Sequence, residues 1–254
     1  MVGGIRKGSR LFHSWKLRPD VSVETCPVVS MRAVLWCENP DGRAFKTEQE
    51  ADSLTEDREI VLASASPRRR ELLGQIGIVP EIIPSTLEEK ITTDRPEEVV
   101  KELSLQKAAD VAERCAKGTI VIGADTVVAA EGRILGKPKS HEDAERMIEL
   151  LAGKTHQVYT GVTMIVCGQD GRARKTFAEK TDVHVYPMTA EEIHEYAFSE
   201  EPMDKAGAYG IQGKFASYIK GIDGDYNNVV GLPVGRVYQE MKSLLTLTAR
   251  RNNG

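Results

Sequence analysis

Three consecutive arginines stand where a helix is expected to begin, in the run Ser64-Ala65-Ser66-Pro67-Arg68-Arg69-Arg70. Ser66 has the side chain of an N-cap, and Pro67 suits the first helical position. The first turn of a helix carries the positive end of its dipole, so cations there are unfavourable unless an anion joins them. Two readings fit these residues. A solvated basic face needs no ligand. An anion site would use helix N–H groups, the hydroxyls of Ser64 and Ser66 and the guanidinium forks to grip a phosphate chain. The apolar strand expected just before, followed by a turn of small residues, favours the anion site. No GxxxxGK[ST] or GxGxxG string is present, so neither a P-loop nor a dinucleotide fingerprint explains it.

The second segment is Ile120-Val121-Ile122-Gly123-Ala124-Asp125-Thr126-Val127-Val128. A carboxylate set in so apolar a strand costs roughly several kcal/mol unless something pairs with it. Asp125 is then either a structural carboxylate bonded to backbone or arginine, or a metal ligand or general base at the edge of a cleft. Gly123 and Ala124 are expected to leave room beside it for a ligand, which favours the second reading.

Weaker signals surround these two. Lys107 on a predicted helix and Lys137 in the turn Gly136-Lys137-Pro138 each read alone as surface lysines. The pair Glu88-Glu89 reads alone as solvated loop after a short strand. Gln212, between glycines in Tyr209-Gly210-Ile211-Gln212-Gly213, carries an amide that can read a base edge, although such glycines also suit a tight turn. The five histidines show no HExxH or comparable metal spacing, and Ser64 and Ser66 lack a GxSxG context.

The elements that must hold these residues follow from periodicity. Apolar runs predict strands at residues 60–63, 81–84 and 119–130. Helical patterns cover 67–76, ending at Gly77, and 96–115, with Val99, Val100, Leu103 and Val111 inward. Ser140 with Asp143 resembles a capping box for a helix to Leu151, and Thr189 with Glu192 another for a helix to Phe198. Alternation over 155–167 and 173–186 predicts a hairpin turning near Asp170-Gly171. A Gly-rich stretch, 206–213, leads to an expected strand pair at 215–222 and 226–230, then a last helix from Pro233. Early strand–helix alternation followed by hairpins gives a mixed α/β sheet with helices on both faces.

Composition bounds the rest. The chain has 254 residues, 41% of them hydrophobic, and 28% charged, which suits one large globular domain with an appendage. With 34 basic against 38 acidic residues the formal charge is −4, an argument against a dedicated nucleic-acid binder. No apolar run reaches the ~18 residues of a membrane span. Four cysteines, Cys26, Cys37, Cys115 and Cys167, form no CxxC pair and read as reduced thiols of a cytoplasmic protein. Residues 1–57 lack a clear period; the first eighteen carry five basic residues and no acid. A poorly ordered extension, a transit peptide and an upstream start site are the three readings, in that order. The organised domain is expected over 58–249, with a polar tail at 250–254.

Taken together, SASPRRRELL, GADTVV, the GKP turn, TDVHVYPMTAEEI and EPMDKAGAYGIQG resemble, in the same order, the Maf family of nucleotide pyrophosphatases, over residues 60–245. The resemblance implies a fold shared with inosine-triphosphate pyrophosphatases, an elongated mixed sheet with two lobes around a deep cleft. It implies hydrolysis of a nucleoside triphosphate to monophosphate and pyrophosphate with a divalent cation, Mg2+ or Mn2+. Asp125 aligns with the family's proton acceptor. Arg68, Thr126 and Gln212 align with positions that separate subgroups, and Lys107, Lys137, Arg69 and Glu89 match family cleft residues. A subgroup acting on 7-methyl-GTP has Trp where this chain has Arg68, so the likeness is to the dTTP/UTP subgroup.

From both lines of reading, Ser64, Arg68, Arg69, Lys107 and Lys137 are expected to hold phosphates, and Glu89 and Asp125 the cation. Gln212 and Thr126 are expected to read the pyrimidine. The resemblance also implies a homodimer. Its alternatives are a nucleotide-binding regulator of septum formation with little catalysis, and a house-cleaning enzyme for modified pyrimidines such as 5-methyl-UTP.

Overall fold

Strand alternation decides the centre of the molecule. In the computed structural model, which describes residues 58–168 and 173–252, β1 (Ile60–Leu62) pairs in parallel with β2 (Glu81–Ile82) and with β3 (Ile120–Ala130). Beyond β3 the sheet turns antiparallel through β5 (Thr155–Val166), β6 (Ala173–Val185) and β7 (Ile219–Asp223), in the order β2-β1-β3-β5-β6-β7. A short strand, β4 (Arg133–Leu135), folds back on the end of β3. The result is the expected mixed α/β sheet. All described residues fall in the compact unit Thr47–Gly254. The expected extension at 1–57 and the turn at Asp170-Gly171 lie outside the described residues.

Successive strand residues face opposite sides, and the core divides accordingly. Val121 of β3 and Ile165 of β5, register partners, pack under α2 (Pro96–Ala112) with its Ala108 and Val111. On the other face, Ile122 and Met164 join α6 (Val234–Asn252) through Val237 and Met241. Further along that face Val128 and Val158, again partners, meet α3 (His141–Leu151) and α4 (Ala190–Ala197) in a second cluster. The long strands therefore carry two cores on one face, split near Thr126.

The helix signals perform unequally. Thr189 and Glu192 form the full reciprocal capping box. Ser140 accepts from the Asp143 N–H, but the Asp143 carboxylate bonds the Lys139 N–H instead of closing the box. α1 (Pro67–Gln75) begins at the expected proline and is followed by Gly77 at φ 78°, yet the Ser66 side chain makes no cap bond. Its backbone N–H donates to Ser64 Oγ instead, at 3.3 Å. The last helix runs on to Asn252, past the start of the expected polar tail.

One strand pair is overturned. Residues 214–218 form a 3-10 turn before β7, and 226–230 form the short helix α5 (Tyr226–Val230). Local capping outweighs the apolar Val229-Val230: Asp225 Oδ1 accepts from the Asn227 N–H at 2.7 Å, and Gly231 at φ 130° ends the helix.

The space expected beside Asp125 is also filled. A Cβ on Gly123 would sit 2.4 Å from the Ser104 carbonyl, and one on Gly161, the register partner of Asp125, 2.1 Å from that of Val100. Glycine here lets α2 press onto the sheet. Gly161→Ala should force α2 away and destabilise the protein by about 2–3 kcal/mol, read from urea midpoints; an unchanged midpoint would contradict so close an approach.

Candidate active site

β1 accompanies β3 only as far as Ile122, and β4 joins the same edge only at Val128. Between them, residues 123–127 have β5 on one side and no strand of the described residues on the other. A cleft of about 900 Å3 opens at this gap. Asp125 and Thr126 point to opposite faces of the sheet, yet both line it, because no neighbouring strand separates the two faces there.

On the α2 side, Lys107 Nζ lies 2.5 Å from Asp125 Oδ1 and 2.9 Å from Glu89 Oε1. Asp125 and Lys107 are largely buried, with 15% and 19% of their side chains exposed. Glu89 sits on the loop between β2 and α2. That loop is pinned by Gln106, whose Oε1 accepts from the Lys90 N–H at 2.9 Å and whose Nε2 donates to the Lys90 carbonyl. Thr92 adds a backbone and a hydroxyl bond to Glu102. The three charged groups are thus placed by one helix face, one strand and one strapped loop.

The opposite wall is built around Arg69. Its Nε donates to the Gly231 carbonyl (2.9 Å), Nη1 to Ser64 Oγ (2.9 Å) and Nη2 to Thr126 Oγ1 (3.0 Å). Burial lowers its pKa from the usual guanidinium value, against the pull of Asp125 and with help from the neighbouring Arg68 charge; an arginine stays ionised regardless. Three of its five N–H groups are engaged in these bonds. Arg68 reaches across to Asp204, 3.1 Å between Nη1 and Oδ2. Arg70 is exposed and does not line the cleft, so two of the three arginines serve it.

Lys137 and Gln212 complete the rim, both exposed side chains on the cleft wall. The turn bearing Lys137 is tied to the Gly-rich segment by the Gly207 N–H, which donates to the Gly136 carbonyl at 2.9 Å. The nine residues singled out from the sequence, Ser64, Arg68, Arg69, Glu89, Lys107, Asp125, Thr126, Lys137 and Gln212, all line this one cleft. Glu88 does not. The sequence reading missed Asp204 and Lys205, which also line it; they stood inside the quoted EPMDKAGAYGIQG string but bore no spacing signal of their own. It also missed Val229 and Val230, read as strand, and Gly231, given no role. In total five cationic and three acidic side chains face the cleft, on a chain whose net charge is negative.

A family profile described as Maf-like protein matches residues 59–244. The chain belongs to that family. Among curated Maf-like relatives, it is 57% identical over 199 residues to a dTTP/UTP pyrophosphatase of Agathobacter rectalis, covering 73% of this chain and 97% of that one. A protein of the same name from Carboxydothermus hydrogenoformans is 51% identical over 183 residues, covering 72% and 97%. Among solved structures, a Staphylococcus aureus Ham1 protein is similar at 20% identity and a TM-score of 0.37, over 50% of this chain and 71% of that one.

Under the Gly-rich wall of the Maf cleft lies His156, 1% exposed, with Nε2 2.7 Å from the hydroxyl of Tyr209. Tyr209 lines the cleft, and burial raises the pKa of its phenol. Burial first, then the charge on nearby His184, lowers the His156 pKa from 6.5 to about 4. The folded protein holds this ring neutral while the unfolded chain protonates it near pH 6.5. The contribution of His156 to stability is therefore full above pH 6.5, falls by ~3 kcal/mol as pH drops from 6.5 to 4, and changes no further below. Urea unfolding at a series of pH values should show that slope in the wild type and a flatter one in His156→Gln; equal slopes would contradict the assignment.

Proposed function

We propose that the protein hydrolyses the pyrimidine nucleoside triphosphates dTTP and UTP to the monophosphate and pyrophosphate. The observation that carries this reading is the Asp125–Lys107–Glu89 cluster in a cleft where cationic side chains outnumber acidic ones five to three. The names borne by relatives at 51–57% identity, covered over almost their whole length, support it.

A triphosphate brings several negative charges, which must be offset before water can attack phosphorus. Arg68, Arg69 and Lys137 stand on the cleft wall to bind the phosphate chain, with the Ser64 hydroxyl beside Arg69. Asp125 would take the proton from the attacking water. The new bond forms between the water oxygen and the α-phosphorus, and the bond from the α-phosphorus to the bridging oxygen breaks. Pyrophosphate leaves with that electron pair, its charge met by the same cations. Lys107, bonded to Asp125 Oδ1, fixes the orientation of the carboxylate. Thr126 and Gln212 would contact the base, Thr126 from a bonded and rigid setting, Gln212 from the exposed loop.

Glu89 and Asp125 also fit a divalent cation, Mg2+ or Mn2+. Both present hard oxygen ligands on the same side of the cleft, where the Lys107 ammonium bridges them here, so a cation held between them would displace that bridge. Among the described residues no group of three His, Cys, Asp or Glu could hold a metal, which suits a cation carried by two carboxylates and the substrate phosphates. When bound, such an ion supplies charge neutralisation at the phosphoryl oxygens. The wide spacing of the four cysteines, with no CxxC pair, supports a reducing compartment, and we place the reaction in the cytoplasm.

Pyrophosphate release should be measured with UTP, dTTP, CTP, ATP and GTP in the presence of Mg2+. UTP and dTTP are expected to lead; a purine preference would overturn the reading. In Asp125→Asn, kcat for UTP should drop by about 10²–10⁴-fold with a much smaller change in KM. Full turnover in that variant would remove Asp125 from its role.

A further inference from the structure

We propose that Thr160 sets a preference of the cleft for uracil and thymine over cytosine by fixing which way the Thr126 hydroxyl points, an inference that rests on the dTTP/UTP reading above. Thr160 lies on β5 opposite Thr126 in register and is fully buried. It does not line the cleft, and it is a positioning residue acting through its neighbour.

The direction of each proton follows from what its partners can do. Thr160 Oγ1 is 3.0 Å from the Asn228 carbonyl, which can only accept, so the single Thr160 proton is committed there. That carbonyl is itself held in place. Asn228 Nδ2 donates to the Val158 carbonyl at 3.1 Å and to Thr181 Oγ1 at 2.9 Å. The two threonine hydroxyls are 2.9 Å apart. With the Thr160 proton spent, the one shared between them belongs to Thr126. The Gly231 carbonyl, 3.5 Å from Thr126 Oγ1, is the more distant acceptor and too far to hold that proton strongly by itself, so the proton goes to Thr160. Arg69 Nη2 donates to Thr126 Oγ1 at 3.0 Å.

A hydroxyl has one donor position and two acceptor positions. On Thr126 the donor position is turned into the protein and one acceptor position is filled by Arg69. What remains for the cleft is a lone pair and no proton. Uracil and thymine present an N–H at ring position 3, which such a lone pair accepts. Cytosine presents a lone pair there, and two acceptors facing each other leave both unsatisfied. The arrangement thus separates rings of the same size by the proton they carry, which shape alone cannot do.

The test is the ratio of kcat/KM for UTP to that for CTP, with binding of non-hydrolysable α,β-imido analogues of both measured alongside. Thr160→Val removes the acceptor and frees the Thr126 proton to face the cleft; the ratio is expected to fall about tenfold. Thr160→Ser keeps the hydroxyl and should restore the wild-type ratio. If Thr160 were merely structural, the valine variant would lose thermal stability and turnover of both nucleotides alike, with the ratio unchanged, and the proposal would be overturned. A wild-type measurement does not depend on any variant folding. N3-methyl-UTP, which lacks the proton in question, should be about tenfold poorer than UTP, and equal hydrolysis overturns the proposal. A wild type that neither hydrolyses nor binds UTP overturns the dTTP/UTP reading and this inference with it, whereas one that hydrolyses UTP but treats CTP alike overturns this inference alone. A wild-type preference that survives in Thr160→Val overturns this inference alone.

Discussion

Residues 123–127 run through the middle of the sheet with a strand on only one side, and the cleft exists because of that gap. A continuous sheet would send Asp125 and Thr126 into two separate compartments, since successive side chains face opposite ways. Where β1 has ended and β4 has not begun, both compartments open into one hollow. The acid and the hydroxyl meet there without any distortion of β3. Sheet topology, through the early end of β1, therefore decides that these two adjacent residues can act on the same ligand.

Holding such a gap open requires that its walls be stiff. Arg69 supplies one wall by bonding three segments far apart in the chain: the loop after β1, the centre of β3 and the loop after α5. Its partners are neutral acceptors, so its positive charge is not cancelled by a contacting carboxylate. Lys107 does the reverse on the other wall, where its charge is offset by Asp125 and Glu89. The cleft is cationic on one side and balanced on the other, within a chain of net negative charge. Such a local field attracts an anion to one particular wall and leaves the acid accessible opposite.

Much of the scaffold was legible from patterning. The long hairpin strands were bounded to within a residue or so by their apolar and β-branched runs, although the second half of β5 is buried on both faces and does not alternate. The helices with prolines at their starts and glycines at their ends were equally readable. Residues 226–230 were misread because a short apolar run carries no period of its own, and the deciding features were a capping carboxylate on Asp225 and the positive φ of Gly231. Gly123, beside Asp125, was read as open space when it is a contact point for a helix backbone, a distinction that one chain segment cannot express. Lys107, Lys137 and Gln212 looked ordinary one by one. Only the combined motifs marked them, and only the cleft shows that they face a common volume.

By itself, the sequence determined which local elements form and where the chemically costly residues lie. Propensity, capping and alternation act over a few neighbouring residues, and a carboxylate in an apolar strand is conspicuous in one dimension. Tertiary structure alone decided which of those residues share a site, that Gly123 and Gly161 seat a helix, and that the hydroxyls of Thr126 and Thr160 come within hydrogen-bond reach. Those outcomes depend on groups brought together from as far as 162 positions apart in the chain, and contacts at such separations are set by packing and hydrogen-bond satisfaction over the whole domain, for which no local pattern stands in.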